Sequence, residues 1–566
     1  MILHALENYY QRKIQEKDSD IPMFGFSKEK IACEIVIDLN GNLVQISYIG
    51  KLENGKRYPK LLTVPQGVKK SVNIAANYLW GSTGYILGIE SIGKERSLKK
   101  FEAFKDLVKK EIGENIHDEE NNAVIKFLDS WDPTNPENIE KIKDAIDSNL
   151  VFRINGKTSF VHENPKIKEA WLKYYNSKES QEKGICLVTG KISTIERLHP
   201  AIKGVRNAQS TGANIVNFNL DSFCSYSKVQ GYNAPVSRES AFAYTTALNS
   251  LLSDERRRIQ IGDATTVFWA EKANPLEDWF AEIFSPREEA TETVNQIRIF
   301  LKSVREGKMP QDIDPTTKFY ILGLSPNASR LSIRFWYAGS VDDLSKKIDK
   351  HFKDIEIEKQ YENDRDFPSL FQLLVQTAVL GKADNINPLL AGELARAIFS
   401  GGNYPLSMLS ALINRIKATN EDEKHKKITY PRMAMIKGIL VRNFRKEVSM
   451  SLDKGNKDPA YLLGRLFAVL EKAQQDALGD INATIKDKYY ASASSTPATT
   501  FPLLLKLNKY HTSKGEYGQF YDSLNAEILE QMPAKQFPAY LTLEEQGLFA
   551  IGYYHQRNDF FKKKGV

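Results

Sequence analysis

TKFYILGLSPNASRLSIRFWYAGSVDDLSKKIDKHFKDI, residues 317–355, reads as a strand, a Pro-Asn-Ala-Ser turn, a second strand and then an amphipathic helix. Beyond about residue 365 the strand signals stop. LFQLLVQTAVL, ELARAIFS, LSMLSALINRIKA, MAMIKGILVRNFRK, AYLLGRLFAVLEKAQQDAL and LTLEEQGLFAIGYYHQR all carry apolar residues at helical period. The breaks between them fall at Gly401-Gly402, at the charged run EDEKHKK and at ASASSTPATT (491–500), whose small hydroxylated residues do not make a packed helix alone. Upstream, ACEIVIDLNGNLVQISYI (32–49) places two β-rich runs around Asn40-Gly41, a pair suited to a type I′ hairpin turn. SLKKFEAFKDLVKKEIG (97–113) aligns Phe101, Phe104, Leu107, Val108 and Ile112 on one helix face, with Gly113 as its stop. The expected fold class is therefore α+β: a mixed α/β region with antiparallel hairpins over 1–364, then an all-α helical bundle over 365–566.

A chain of 566 residues is long enough for about three or four domains, so a large core is easily built. The 42% hydrophobic and 26% charged content is that of a globular protein and excludes wholesale disorder. A net charge of +7 permits a nucleic-acid partner without demanding one, because a groove needs local cations. Cys33, Cys186 and Cys224 are far apart and form no CxxC pair, which suits a reducing cytoplasm. The beginning, MILHALENYYQRK, lacks a secretion-signal pattern, and no apolar run reaches the roughly 20 residues of a membrane span.

Catalytic patterns fail on inspection. GICLVTGKIS has one residue too many between Gly184 and Gly190 for a phosphate-binding loop, and Ile192 stands where a magnesium-holding hydroxyl belongs. Ser82 in WGSTGYILG lies outside a nucleophile elbow. The eight histidines are scattered, and His117-Asp118 is an isolated pair without the further His and Asp of a metal phosphohydrolase. No metal and no cofactor is expected.

Three stretches instead suit a polyanion. LHPAIKGVRNAQSTGANIVNFN (198–219) sets Lys203, Arg206, Asn207, Gln209, Ser210 and Thr211 between Gly204 and Gly212, with no carboxylate among them. The cations neutralise phosphate, glycines let main-chain N–H groups approach it, and amides both donate to and accept from base edges. On composition alone a solvated loop with turn caps is the favoured reading. KKSVNIAANYLWGSTGYILG (69–88) offers Lys69, Lys70, Asn73 and Asn77 beside Tyr78 and Trp80, although aromatics at this spacing also fill cores, and Tyr78 or Leu79 is expected to be buried. DERRRIQIGDATTVFWAE carries Arg256, Arg257 and Arg258, a run that by itself is an ordinary solvated face.

Together with QGYNAPVSRESAFAYTTALNSLL, IGDATTVFWAE and PATTFPLLLKLNKYH, these stretches make the chain resemble the large subunit of the type I-C CRISPR surveillance complex, Cascade. The resemblance is collinear over essentially the whole length. It implies a non-catalytic subunit that reads the protospacer-adjacent motif (PAM) on double-stranded DNA, helps to open the duplex for R-loop formation and presents the target to a separate helicase-nuclease. Its implied partners are crRNA, target DNA, the Cascade backbone and crRNA-processing subunits, and a small subunit. Asn77 is the leading residue for a PAM base contact by this resemblance; Gly81-Ser82 depart from the family's acid and amide, and Asn207 stands where glycine is usual. Which loop meets PAM and which meets the crRNA 5′ handle stays open.

The same resemblance makes the C-terminal bundle similar to the small subunit, a product that internal translation can also supply. Lys446-Glu447-Val448 permit a purine-rich ribosome-binding codon run ahead of Met450, with Met435 as the other start; replacing both Met codons and still finding a small C-terminal band would dispose of the idea. Arg442, Arg445, Arg465, Lys472, Lys506, Lys509 and Lys514 are its candidates for holding a displaced single strand, each equally readable as helix-surface charge. The rival functions are an RNA-binding or ribonucleoprotein scaffold without a defence role, and a metal-dependent nuclease.

Overall fold

The computed structural model describes the chain except for residues 17–18, 54–55, 69–73, 114–115, 178–181, 285–290, 307–312, 420–425, 480–482, 534–536 and 563–566. Two compact units emerge, one of Leu3–Pro200 with Val216–Ala247, the other of Ala201–Ile215 with Leu248–Val566.

In the first unit a four-stranded sheet runs in the order Leu43–Tyr48, Cys33–Ile37, Asn149–Ile154, Trp80–Ser82. The middle pair is parallel and the outer pairs are antiparallel. All five residues of Cys33–Ile37 are buried, as a strand covered on both faces must be. The hairpin expected at 32–49 is present, but its return is not a two-residue type I′ turn. Gly41 N–H donates to Asp38 O (3.1 Å), the Asp38 carboxylate accepts from Asn40 and Asn42 N–H, and of Asn40 and Gly41 only the glycine has positive φ. The Asx cap of Asp38 thus replaces the second left-handed residue. The helix expected over 97–113 forms as Lys94–Asp106 and continues as a π-helical turn, Leu107–Ile112, and its five aligned apolar residues are all buried. Phe104 stacks on Phe152 of the sheet (6.3 Å between centroids).

The second unit opens with an antiparallel meander, Arg258–Ile261, Ala264–Ala270, Lys318–Asn327 and Arg330–Ser340, followed directly by the helix Val341–Ile355. No strand follows among the described residues. In the second unit the sheet and the helices beyond residue 364 share a single core. Phe399 of the helix Pro388–Ser400 packs on Phe335 of the sheet (6.1 Å) and on Phe280 (5.8 Å). Cutting between them would expose both apolar faces. The helical bundle contains three helices that periodicity alone did not mark: Ile485–Ala493, Pro497–Lys514 and Gly518–Glu530. In ASASSTPATT only 494–496 breaks the helix, since Pro497 takes the first helical position, where its missing N–H has no partner to lose.

Candidate nucleic-acid interface

Residues 203–212 form a closed loop on the second unit. Ile202 and Ala213, both buried, exchange two main-chain hydrogen bonds (2.8 and 2.9 Å) and pinch its base. Asn214 continues into a bridge with Arg330 at the tip of the 318–340 hairpin. Two polar side chains from elsewhere pin the outgoing arm: Asn249 Oδ1 accepts Lys203 N–H (2.8 Å) while its Nδ2 donates to Ala201 O (3.0 Å), and Thr265 Oγ1 accepts Arg206 N–H (3.0 Å). Internal turns close through Ala208 N–H to Val205 O and Gly212 N–H to Gln209 O. Backbone donors thereby hold the shape, and the side chains are left out of it.

Lys203, Arg206, Asn207, Gln209, Ser210 and Thr211 are all exposed, and among the described residues none of these side chains has an ion-pair or hydrogen-bond partner. Gly204 (φ 93°) and Gly212 (φ 98°) lie in the left-handed region; a Cβ on Gly212 would sit 2.8 Å from Ala201 Cβ. Asn207 also has positive φ (62°), which is the physical reason that a glycine suits this position, and asparagine is among the few side chains that tolerate it. The loop is a preformed rim of two cations, two amides and two hydroxyls.

The aromatic stretch has another role. Asn77 is only 5% exposed, and its Oδ1 accepts the Val68 N–H (3.0 Å). Trp80 is likewise buried and donates its indole N–H to Pro65 O (2.8 Å). Tyr78 and Leu79 are both buried, with Tyr78 stacked on Trp171 (5.5 Å). The side chains offered for base contact are therefore interior braces in this conformation, fixing the strand end at 65–68. Lys69, Lys70 and Asn73 lie outside the described residues.

Of the arginine run, Arg256 is mainly solvent-facing (side chain 72% exposed) and pairs with its neighbour Asp254 (3.4 Å). Arg257 pairs with Asp278 (2.9 Å), and Arg258 donates to Leu252 O (2.8 Å). These two brace the start of the meander.

The C-terminal cations divide the same way. Arg442 is interior: it pairs with Asp354 (2.7 Å), donates to Ala397 O and Gly402 O, and lies over the Tyr404 ring (4.0 Å). The Arg465 side chain has no exposure at all and donates to Gln556 Oε1 (3.1 Å); burial holds its guanidinium below the usual arginine range. Neither reaches solvent, because each fills a slot between helices that its own sequence does not reveal. Lys472 pairs with Asp476 (2.5 Å), and Lys514 bonds the Tyr510 hydroxyl across the ring face. Arg445, Lys506 and Lys509 are exposed without such partners among the described residues. Lys506 and Lys509 share the helix Pro497–Lys514 with exposed Leu503, Leu507 and Tyr510.

The rejected motifs have structural explanations. GICLVTGKIS is the tip of a small hairpin, Lys183–Ile185 against Ile192–Thr194, so a strand follows Gly190 where a phosphate-binding loop needs a helix. Asp118 of the HD pair caps the helix Glu119–Ser130 and His117 points to solvent. Among the described residues no three His, Cys, Asp or Glu converge as a metal group, and no helix is long and apolar enough to cross a membrane.

A family model described as CRISPR-associated protein (Cas_Csd1) matches residues 6–561. The chain belongs to this family. The match runs through both units, so the closed loop, the meander and the helical bundle are all parts of the Cas_Csd1 architecture and none is an appended domain. A search among curated proteins returned no match.

Proposed function

We propose that this Cas_Csd1 chain is the non-catalytic large subunit of a crRNA-guided type I-C Cascade complex, which recognises the PAM in double-stranded DNA, promotes duplex opening and leaves cutting to a separate helicase-nuclease. One observation carries the reading: a loop at 203–212, pinned through its main chain, whose polar and cationic side chains are all exposed and have no partner among the described residues. A fold gains little stability from such a rim, since surface charges of this kind contribute only about 0–1 kcal/mol even when paired. A polyanion gains two phosphate contacts and a row of amide and hydroxyl donors from it.

Energetics favour this division of labour. Exchange of DNA–DNA for RNA–DNA pairing is nearly balanced, so the protein's task is to choose where opening starts. Contacts of about 1–3 kcal/mol per bidentate amide or guanidinium are sufficient for that choice. The exposed Arg256 adds a further phosphate contact, and Arg445, Lys506 and Lys509 on the bundle suit a displaced single strand. The partners are crRNA, target DNA, the backbone and crRNA-processing subunits and the small subunit. A start at Met450 would leave the helix Pro459–Leu478 and its Asp458 cap whole, whereas Met435 lies inside the helix Tyr430–Phe444.

Reading of sequence is assigned to Gln209 and Asn207, and anchoring to Lys203 and Arg206. With the crRNA-loaded complex, Gln209→Ala and Asn207→Gly are each expected to narrow the preference for duplex bearing the correct motif over scrambled duplex by about 5- to 150-fold. Equal loss on both duplexes would make the loop a backbone clamp, and no loss on either would remove it from the interface.

A further inference from the structure

Nine non-glycine residues of the described chain have positive φ, and three of them fall within five positions: Tyr226 (52°), Ser227 (56°) and Gln230 (48°). Lys228 N–H donates to Ser225 O (3.0 Å), so Tyr226 and Ser227 are the two corners of a hydrogen-bonded turn whose left-handed corners normally go to Asn and Gly. The turn is held from behind. Asn233 Oδ1 accepts Ser225 N–H (2.9 Å) and its Nδ2 donates to Lys228 O and Gln230 O (3.0 Å each). Gln230 accepts from the Arg197 guanidinium, and Gly231 N–H donates to Arg197 O (3.0 Å). Gly231 admits no side chain, since a Cβ would lie 2.5 Å from Glu196 O.

This much bracing supports a conformation with strain at its apex, and the apex displays one ring. Tyr226 is 94% exposed, and neither its ring nor its hydroxyl touches a partner among the described residues. An aromatic side chain seldom stands this far from its own fold, and strain that the surroundings over-determine is characteristic of functional positions. Its neighbours give the chemistry: Ser225, Ser227 and Lys228 are exposed beside it, and no carboxylate occurs from 222 to 230. A flat π-face next to a cation and two hydroxyls matches a nucleobase with its phosphate and sugar.

We infer that Tyr226 is a stacking residue for one unpaired nucleobase, on a turn preset by Asn233 and Gln230. The inference rests on the nucleic-acid reading above and goes beyond it by assigning a site in the first unit. It is tested with the full chain by fluorescence anisotropy on oligothymidine and oligouridine of roughly ten nucleotides, which separate DNA from RNA as the source of the base, and on abasic oligomers of the same charge. Tyr226→Ala is expected to weaken binding of at least one base-bearing oligomer by about 5- to 150-fold, Tyr226→Phe by no more than about twofold, and binding of the abasic oligomer is expected to be unchanged by either. If Tyr226→Ala changes base-bearing affinity by less than about twofold, the ring does not stack on a base and the inference is overturned. Equal loss on abasic and base-bearing oligomers would also overturn it. Where the unaltered chain binds no oligomer, or binds and only Lys203→Ala/Arg206→Ala weakens it, this inference falls, while the proposed function is decided by the duplex comparison with the crRNA-loaded complex.

Discussion

Removing Lys203 and Arg206 together, as Lys203→Ala/Arg206→Ala, is the sharpest test of the closed loop. Both side chains are exposed and have no ion-pair partner among the described residues, so none of the described carboxylates is orphaned by their loss. The loop is pinned through the main-chain N–H groups of these residues, to Asn249 and Thr265, and an alanine keeps both bonds. Stability is therefore expected to change by less than about 0.5 kcal/mol. Each cation that meets a phosphate of duplex DNA contributes about 0.9 to the slope of log K against log salt, so the double variant is expected to be shallower by about 1.8. Between about 50 and 200 mM salt this amounts to about a twelvefold smaller loss of affinity than the unaltered chain shows. Anisotropy titrations of labelled duplex at several salt concentrations measure it directly. A parallel line, displaced but with unchanged slope, would show that neither cation meets phosphate.

Two further outcomes follow from the interior. Arg442→Ala leaves Asp354 buried without its partner and is expected to cost about 3–5 kcal/mol, while replacing both by apolar residues of similar volume recovers most of that; denaturant midpoints of the single and double variants decide. Burial holds His162 down to about 4 and His351 and His555 down to about 3, against an ordinary 6.5. Below 6.5 the unfolded chain binds more protons than the native one, so stability is expected to fall from pH 6.5 towards pH 5 by about 2 kcal/mol per histidine. Identical midpoints at pH 7 and pH 5 would show that these rings are not held neutral.

Element types were legible wherever the apolar period was long. The 317–355 unit, the helix at 97–113 and most of the bundle form as their periodicity indicates. Local chemistry was less legible where two devices satisfy the same backbone, as at the 32–49 hairpin, where Asp38 caps the turn that Asn40 was expected to make. Helix Pro497–Lys514 escaped notice because its Ser- and Thr-rich entry and internal Pro502 resemble a break, although packing of Phe501 and Leu504 in the core holds it.

Apolar periodicity and collinear motifs were enough for the α+β class, the order of elements and the Cas_Csd1 family. Which polar side chains stay available to a partner is settled by packing in three dimensions. Asn77, Arg442 and Arg465 are spent on Val68, Asp354 and Gln556, whereas Lys203, Arg206 and Tyr226 keep their chemistry outside the fold. The physical reason is that burial and pairing are set by residues brought alongside from elsewhere in the chain, and the spacing around an asparagine or an arginine carries no record of them.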